Sequence, residues 1–280
     1  MSYKRGLTML KEIFGVRKPI IGALHFAPLF GYNDFGGLSN ILKYAEKDLR
    51  AFKRGGINGV IIENNYDVPH KIFVGPETVA AMTYLGVELK RNAHTAFGVS
   101  VLWNDYMAAL SIAKTTGARF IRVPVFVDSV RTDFGIIRAQ PQKVIEYRRK
   151  LGAEDVMIFA DIHVKHAEML DKQITIAESA RKAEREGADA IIVTGRWTAD
   201  SPKSEALAEA KASVDVPVII GSGLDFRNAG TLMKYADGAI VGTSLKKGER
   251  VSGERQVKPH SARIDSRRVA RLMDAVRKIR

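Results

Sequence analysis

From Pro217 to Gly248 the chain reads PVIIGSGL, a helix-length segment, and then DGAIVGTSLKKG. Two short Val/Ile-rich strands each run into a glycine turn that carries hydroxyls: Gly221-Ser222-Gly223 and Gly242-Thr243-Ser244. Glycine lets a backbone come close to a ligand, and the N–H groups it exposes can hold an anion. In the last two units of a β/α barrel such a pair forms the phosphate cradle of that fold. Taken singly, either turn is only a tight strand-to-helix link. Taken in succession, they point to a barrel and to a phosphorylated ligand.

Outward from this stretch the same grammar repeats. Strand-like runs lie near Ile20–Leu24, Gly59–Glu63, Gly98–Trp103, Phe120–Val125, Val156–Asp161, Ala190–Thr194, Val218–Gly221 and Ala239–Val241. They are short and apolar without strict alternation, as parallel strands covered on both faces are. Amphipathic helical segments such as Leu38–Arg54 and Ala177–Glu186 separate them. Eight such units in 280 residues predict one single-domain (β/α)8 barrel over residues 1–280. A doubly wound sheet would want GxGxxG after the first strand, and HFAPLFG is not that. Leu7, Leu10, Ile13 and Phe14 predict an N-terminal helix within residues 1–18 that closes the barrel's bottom.

With 46% hydrophobic and 27% charged residues the chain has the composition of a soluble domain with a large core. No apolar run approaches the ~20 residues of a membrane span, and the N-terminus has no signal-peptide pattern. The absence of cysteine excludes disulfides, thiolate metal sites and cysteine nucleophiles, and fits a cytoplasmic setting. Abundant Arg, Lys and Glu give a mildly thermophilic, thermostable look. The net charge of +13 is concentrated at the end: Lys246–Arg280 holds twelve Lys/Arg against four Asp/Glu. Residues 246–264 read as a basic loop, a lid that orders over an anionic ligand with Lys246, Lys247 or Arg250 nearest the phosphate. The same charges suit peripheral contact with an anionic membrane. Residues 265–280 read as a final helix capped by Asp265 or Ser266, with Val269, Leu272, Met273, Val276 and Ile279 inward and Arg267, Arg268, Arg271 and Lys278 on the solvated face. No RNP-type or recognition-helix signature accompanies the charge, which argues against nucleic acid.

Polar residues crowd the strand ends, where barrel chemistry sits. Asp161, His163 and Lys165 alternate, so a strand persisting that far would turn all three to one side. Asp161 and Glu63 are the acid/base candidates. Lys165 is the electrophile or Schiff-base candidate, and His163 and His25 complete the catalytic set. Asn64, Asn104, Asp105, Thr194 and Gly195 are substrate-binding candidates, and Gly221, Ser222, Gly223, Gly242, Thr243 and Ser244 form the phosphate site. The residues identify no cofactor, and a divalent metal is the one candidate. Glu63, His25, Asp161 and His163 carry the donors of a divalent-metal site, though no spacing motif such as HExxH supports one. Local ion pairs and loop packing are the alternative use of all these groups.

These segments resemble the BtpA family. The likeness rests on KPIIGALHFAPLFG, GVIIENNYDVP, GPETVAAM, FGVSVLWNDYMAALSIAKTTGARFIRV, FADIHVKHA, ADAIIVTG, VIIGSGL and DGAIVGTSLK, and it runs from about Lys18 to the last helix. It implies a TIM-type barrel similar to the ribulose-phosphate-binding barrels. Its members include a peripheral thylakoid protein of photosystem I biogenesis and SgcQ-like proteins of bacterial sugar operons. The chain departs from the family in the first loop, His25–Gly31, at Trp103, where a basic residue is common, and in Gly253–Asp265 before the last helix. The expected function is a phosphate-binding barrel enzyme, a lyase or isomerase acting on a small sugar-phosphate-like metabolite, working as a homo-oligomer. A non-catalytic biogenesis factor is the alternative.

Overall fold

A computed structural model describes residues 3–93, 95–248 and 258–279. Eight parallel strands close into a barrel: Ile20–His25, Gly59–Glu63, Ala96–Ser100, Phe120–Val123, Met157–Ile162, Ala190–Val193, Val218–Ile220 and Gly238–Val241. Each strand pairs with its neighbours in the chain, and the eighth pairs with the first through Ile20–Ala239 and Gly22–Val241. Helices alternate with the strands and carry the return connections. The sequence reading places the strands correctly, except that the third begins and ends earlier than Gly98–Trp103.

Side-chain alternation sorts the core into two layers. Outward residues such as Ile20, Val60, Ile62, Ile121, Ile158, Ile191 and Val218 pack under the helices. Inward residues such as Ile21, Ile61, Phe120, Phe159, Ile192, Ile219 and Ile240 fill the barrel. Phe120 and Phe159 stack at 4.8 Å between ring centroids. The N-terminal helix, Tyr3–Phe14, puts Leu10 and Phe14 into this inner layer, so the lower end of the barrel is plugged by hydrocarbon. Any ligand must therefore enter from the opposite end, where the strands terminate.

One feature is absent from the sequence reading. After the fourth strand, Val130–Thr132 and Gly135–Ile137 form a hairpin to which Glu168–Met169 adds a third antiparallel strand. With Trp103, Val125 and Val164 it encloses a separate apolar cluster beside the barrel mouth. No helix among the described residues is long and apolar enough to cross a membrane.

Candidate active site

The topmost inward layer decides the chemistry. Continuing the period-2 register of each strand brings His25, Glu63, Ser100, Arg122 and Asp161 inward from the first five strands. Thr194, Gly221 and Gly242 continue the ring from the last three. Where lower layers carry Ile and Phe, this layer carries an ion network. Arg122 donates through its Nε and one terminal nitrogen to the two carboxylate oxygens of Asp161, at 2.8 and 2.7 Å. Its other terminal nitrogen reaches Glu63 Oε1 at 3.4 Å, and Glu63 Oε2 lies 3.3 Å from His25 Nε2. Arg122 did not figure among the sequence candidates. Its signal was a lone cation in the apolar run Phe120-Ile121-Arg122-Val123.

Burial alone would raise the Glu63 carboxyl, but the hydrogen bond from His25 and the charge of Arg122 overcome it and hold the group at about 2. Burial pushes His25 down, Lys246 repels its proton further, and Glu63 only partly compensates, so the imidazole is neutral. Its Nε2–H then faces Glu63, and Nδ1 is buried without a partner among the described residues. Burial and then repulsion from Arg122 lower the Lys165 amine to about 8. Lys165 lines the cavity, and no described acid lies within ion-pair distance of its amine. Glu63 remains an ionised partner of Arg122 and is poorly suited to exchange protons, while both carboxylate oxygens of Asp161 are taken up by the guanidinium. The groups left able to do so are His25 and Lys165.

The strand does not persist beyond Ile162. His163 adopts a φ of +45°, and the alternation that would align it with Asp161 and Lys165 is broken. The backbone N–H of His163 donates to Asp128 Oδ2 at 3.2 Å, and its Nε2 is buried without a partner among the described residues. Among the described residues no group of three or more His, Asp or Glu side chains is spaced to hold a metal. The Arg122 guanidinium bridges the two carboxylates that a metal would need.

Most of the other strand-end polar groups stitch neighbouring loops together. The Asn64 side chain brackets the Leu102 backbone, accepting from its N–H at 2.7 Å and donating to its C=O at 3.2 Å. Asn104 does the same for Val125, at 2.8 and 3.0 Å. Asp105 caps the helix Tyr106–Thr116 through Ala108 N–H and also accepts from Val74 N–H. Thr194 Oγ1 accepts from Lys165 N–H, and Ser222 Oγ accepts from Gly195 N–H while donating to Asp200 C=O. Gly195 lets the Asp200 backbone pass where a Cβ would lie 2.4 Å from its carbonyl oxygen. These contacts give Asn64, Asn104, Asp105, Thr194 and Gly195 a bracing role. Each unpaired buried backbone group costs about 1–3 kcal/mol. Asn104→Ala should therefore lower unfolding free energy in denaturant by about 2–4 kcal/mol. A change near zero would mean that other contacts hold the fourth loop.

The two glycine turns open one side of the layer. Gly223 has a φ of +70°, and a Cβ there would sit 2.2 Å from Ser201 N. A Cβ on Gly242 would point at the His25 ring, 3.4 Å away. Ser244 Oγ donates to Leu224 C=O and ties the turns together, so the hydroxyls of Ser222 and Ser244 are already engaged. The N–H groups of Gly223, Thr243 and Ser244 have no acceptor among the described residues. They border a cavity of about 910 Å³ that also reaches His25, Glu63, Arg122 and Lys165.

The basic C-terminal segment is anchored where it is described. Lys246 is 2% exposed, with Nζ on Tyr66 Oη at 2.8 Å rather than in the cavity. Lys258 Nζ donates to the carbonyls of Lys246, Lys247 and Gly248, and Arg268 donates to those of Lys246 and Gly248. These clamps anchor the two described ends of the segment expected to form a lid, whereas its residues 249–257, Arg250 among them, lie outside the described residues. The final helix, Ser266–Arg277, is capped by Asp265 and buries Val269, Leu272, Met273 and Val276. Its outer face is not merely solvated: Arg268 and Arg271 border the cavity, and Arg271 lies 3.4 Å over the Phe226 ring.

A closed parallel (β/α)8 barrel, plugged below and opening above onto an ionic cluster, is a TIM-type barrel. The chain belongs to the BtpA family, whose model matches residues 16–278. An uncharacterized protein of Archaeoglobus fulgidus is 41% identical over 241 residues, covering 86% of this chain and 96% of its own. The photosystem I biogenesis protein BtpA of a Synechocystis species is 39% identical over 241 residues, covering 85% and 84%. Among solved structures, thiamine phosphate pyrophosphorylase of Pyrococcus furiosus superposes with a TM-score of 0.59 at 16% identity, covering 94% and 98% of the two chains. N-(5'-phosphoribosyl)anthranilate isomerase of the same organism gives 0.54 at 12% identity, covering 93% and 99%. At such identities the structures share the fold.

Proposed function

We propose that the protein is an enzyme that binds a small phosphorylated metabolite and moves a proton beside its carbonyl group, as lyases and isomerases do. One observation carries this reading: a single cavity joins the open N–H groups of Gly223, Thr243 and Ser244 to a neutral histidine and an uncommitted lysine. The phosphate is held at the seventh and eighth strands, with Arg271 beside it. Lys165 is the acid–base group of the site, taking the proton from the carbon as the amine and returning it as the ammonium, with His25 beside it on the same cavity. At pH values near 8 the same amine is available as a nucleophile for a Schiff base. Asp161, Glu63 and Arg122 hold one another in the floor beneath these groups. The two solved barrels named above are themselves named for phosphorylated compounds, which adds only that the fold houses such chemistry.

A ligand at about 100 times its Kd stabilises a protein by about 2.7 kcal/mol. Ribose 5-phosphate should therefore raise the melting temperature by several degrees, and ribose should not. A shift with ribose and none with any phosphorylated sugar would overturn the phosphate assignment.

The name of the Synechocystis relative favours a second reading, a non-catalytic factor docking on membrane complexes. Its charge source would be the basic end from Lys246 to Arg280. Co-sedimentation with anionic vesicles, together with indifference to every phosphorylated ligand, would select it.

A further inference from the structure

The two ends of the cavity differ in chemistry. Strands seven and eight lie across the barrel from strands three and four. On the first side the walls carry the glycine turns with Arg227, Arg268, Arg271 and Lys258. On the second side they carry Val68, Leu102, Trp103, Pro124, Phe134 and Val164. Trp103 and Val164 belong to the apolar cluster of the extra sheet, and Phe134 sits at the tip of its hairpin. Two cations border the cavity on the second side: Arg122, held by Asp161 and Glu63, and Lys165, next to Val164. Among the described residues the loops after strands three and four add no lysine or arginine to its wall, whereas Asp133 lines it. His70 stands there edge-on to Phe134 at 5.2 Å, with Nδ1 buried and unpartnered among the described residues.

This asymmetry restricts what fits. A second phosphate at the far end would meet hydrocarbon and a carboxylate, and a burial without compensating hydrogen bonds is unfavourable. A bare sugar would leave the aromatic wall unused. At about 910 Å³ the cavity stands near the top of the ~300–1,000 Å³ range of drug-sized ligand sites, so it has room for a ring beyond a pentose phosphate. Large aromatic side chains around a cavity reward flat apolar partners through burial and offset stacking.

Resting on the phosphate reading above, we infer that the substrate is a phosphate ester that also carries a flat, largely apolar ring, and that Trp103, Phe134, Val68 and Leu102 form the subsite for that ring across the barrel mouth from the glycine turns. The carbon that loses the proton then lies between the two anchors, over His25 and Lys165. The hairpin Val130–Ile137 is the specificity element of the site.

The test compares inorganic phosphate, ribose 5-phosphate, phenyl phosphate, UMP and AMP by calorimetry on the full-length protein. At least one ring-bearing ester should bind ten-fold or more tighter than ribose 5-phosphate. Phe134→Ala should erase that advantage while leaving ribose 5-phosphate unchanged, and Trp103→Phe should remove the accompanying quench of tryptophan fluorescence. Affinities within two-fold for all four organic esters, or a ring advantage that survives Phe134→Ala, would overturn the subsite. If ribose 5-phosphate binds and the ring adds nothing, the phosphate reading stands and this inference alone falls. If even inorganic phosphate and every ester fail to bind, both fall.

Discussion

Arg122→Met should lower the melting temperature by roughly 10 °C. Arg122 is 6% exposed and holds two carboxylates that are themselves buried. Removing one member of a buried ion group leaves uncompensated charge and costs about 3–5 kcal/mol, and a chain of this size loses about 2–4 °C per kcal/mol. The pH dependence gives an independent sign. Glu63 is held at about 2 in the folded protein against an ordinary value of 4.5. Its stabilisation is therefore complete above about 4.5 and is lost as the pH falls through about 2. Without Arg122 the folded value moves back toward 4.5, so less of this pH-dependent stability exists to be lost. Calorimetry from pH 7 down to 3 should show the wild type losing stability more steeply and the gap to the variant narrowing. A drop below 2 °C with parallel acid limbs would mean that the network does not organise the barrel floor.

Lys165→Met should abolish turnover while leaving the fold intact or slightly more stable. Positioned acid–base groups contribute about 10²–10⁴-fold to rate, so loss of at least two orders of magnitude is expected on any substrate found. The stability sign follows from the lowered amine. Folding disfavours the charged form, so the penalty is complete below about 8 and disappears as the pH rises beyond the ordinary 10.5. The wild type should gain on the variant across that window. Borohydride with a carbonyl-bearing phosphate ester tests the covalent route: an adduct on the wild type and none on Lys165→Met identifies a Schiff base. Full activity in the variant, or a large fall in its melting temperature, would make Lys165 a structural cation.

The barrel was readable because its evidence is local and repeated. Each strand is a short apolar run, and four of the return helices end at or just before a left-handed glycine, Gly56, Gly117, Gly152 or Gly187. The site was readable only in outline. Asp161, Glu63, His25 and the paired glycine turns stand at strand ends, as barrel geometry requires. What each polar group does there depends on contacts between residues far apart in the chain. Asn64 reaches Leu102 and Asn104 reaches Val125, so groups that look like ligand contacts are spent on backbone. The alternation of Asp161, His163 and Lys165 presumed a strand that stops at Ile162. Arg122 was hidden because an inward cation in an apolar strand has meaning only once its two carboxylates are known. The hairpin was hidden by brevity: three residues on each side, Val130–Thr132 and Gly135–Ile137, give too little alternation to stand out.

The most direct measurement is a crystal structure of the protein with inorganic phosphate. The account predicts one anion within hydrogen-bonding distance of the N–H groups of Gly223, Thr243 and Ser244, facing Arg271 and on the same cavity as Lys165. An anion found only on exposed arginines, with those N–H groups unoccupied at saturating phosphate, would contradict it.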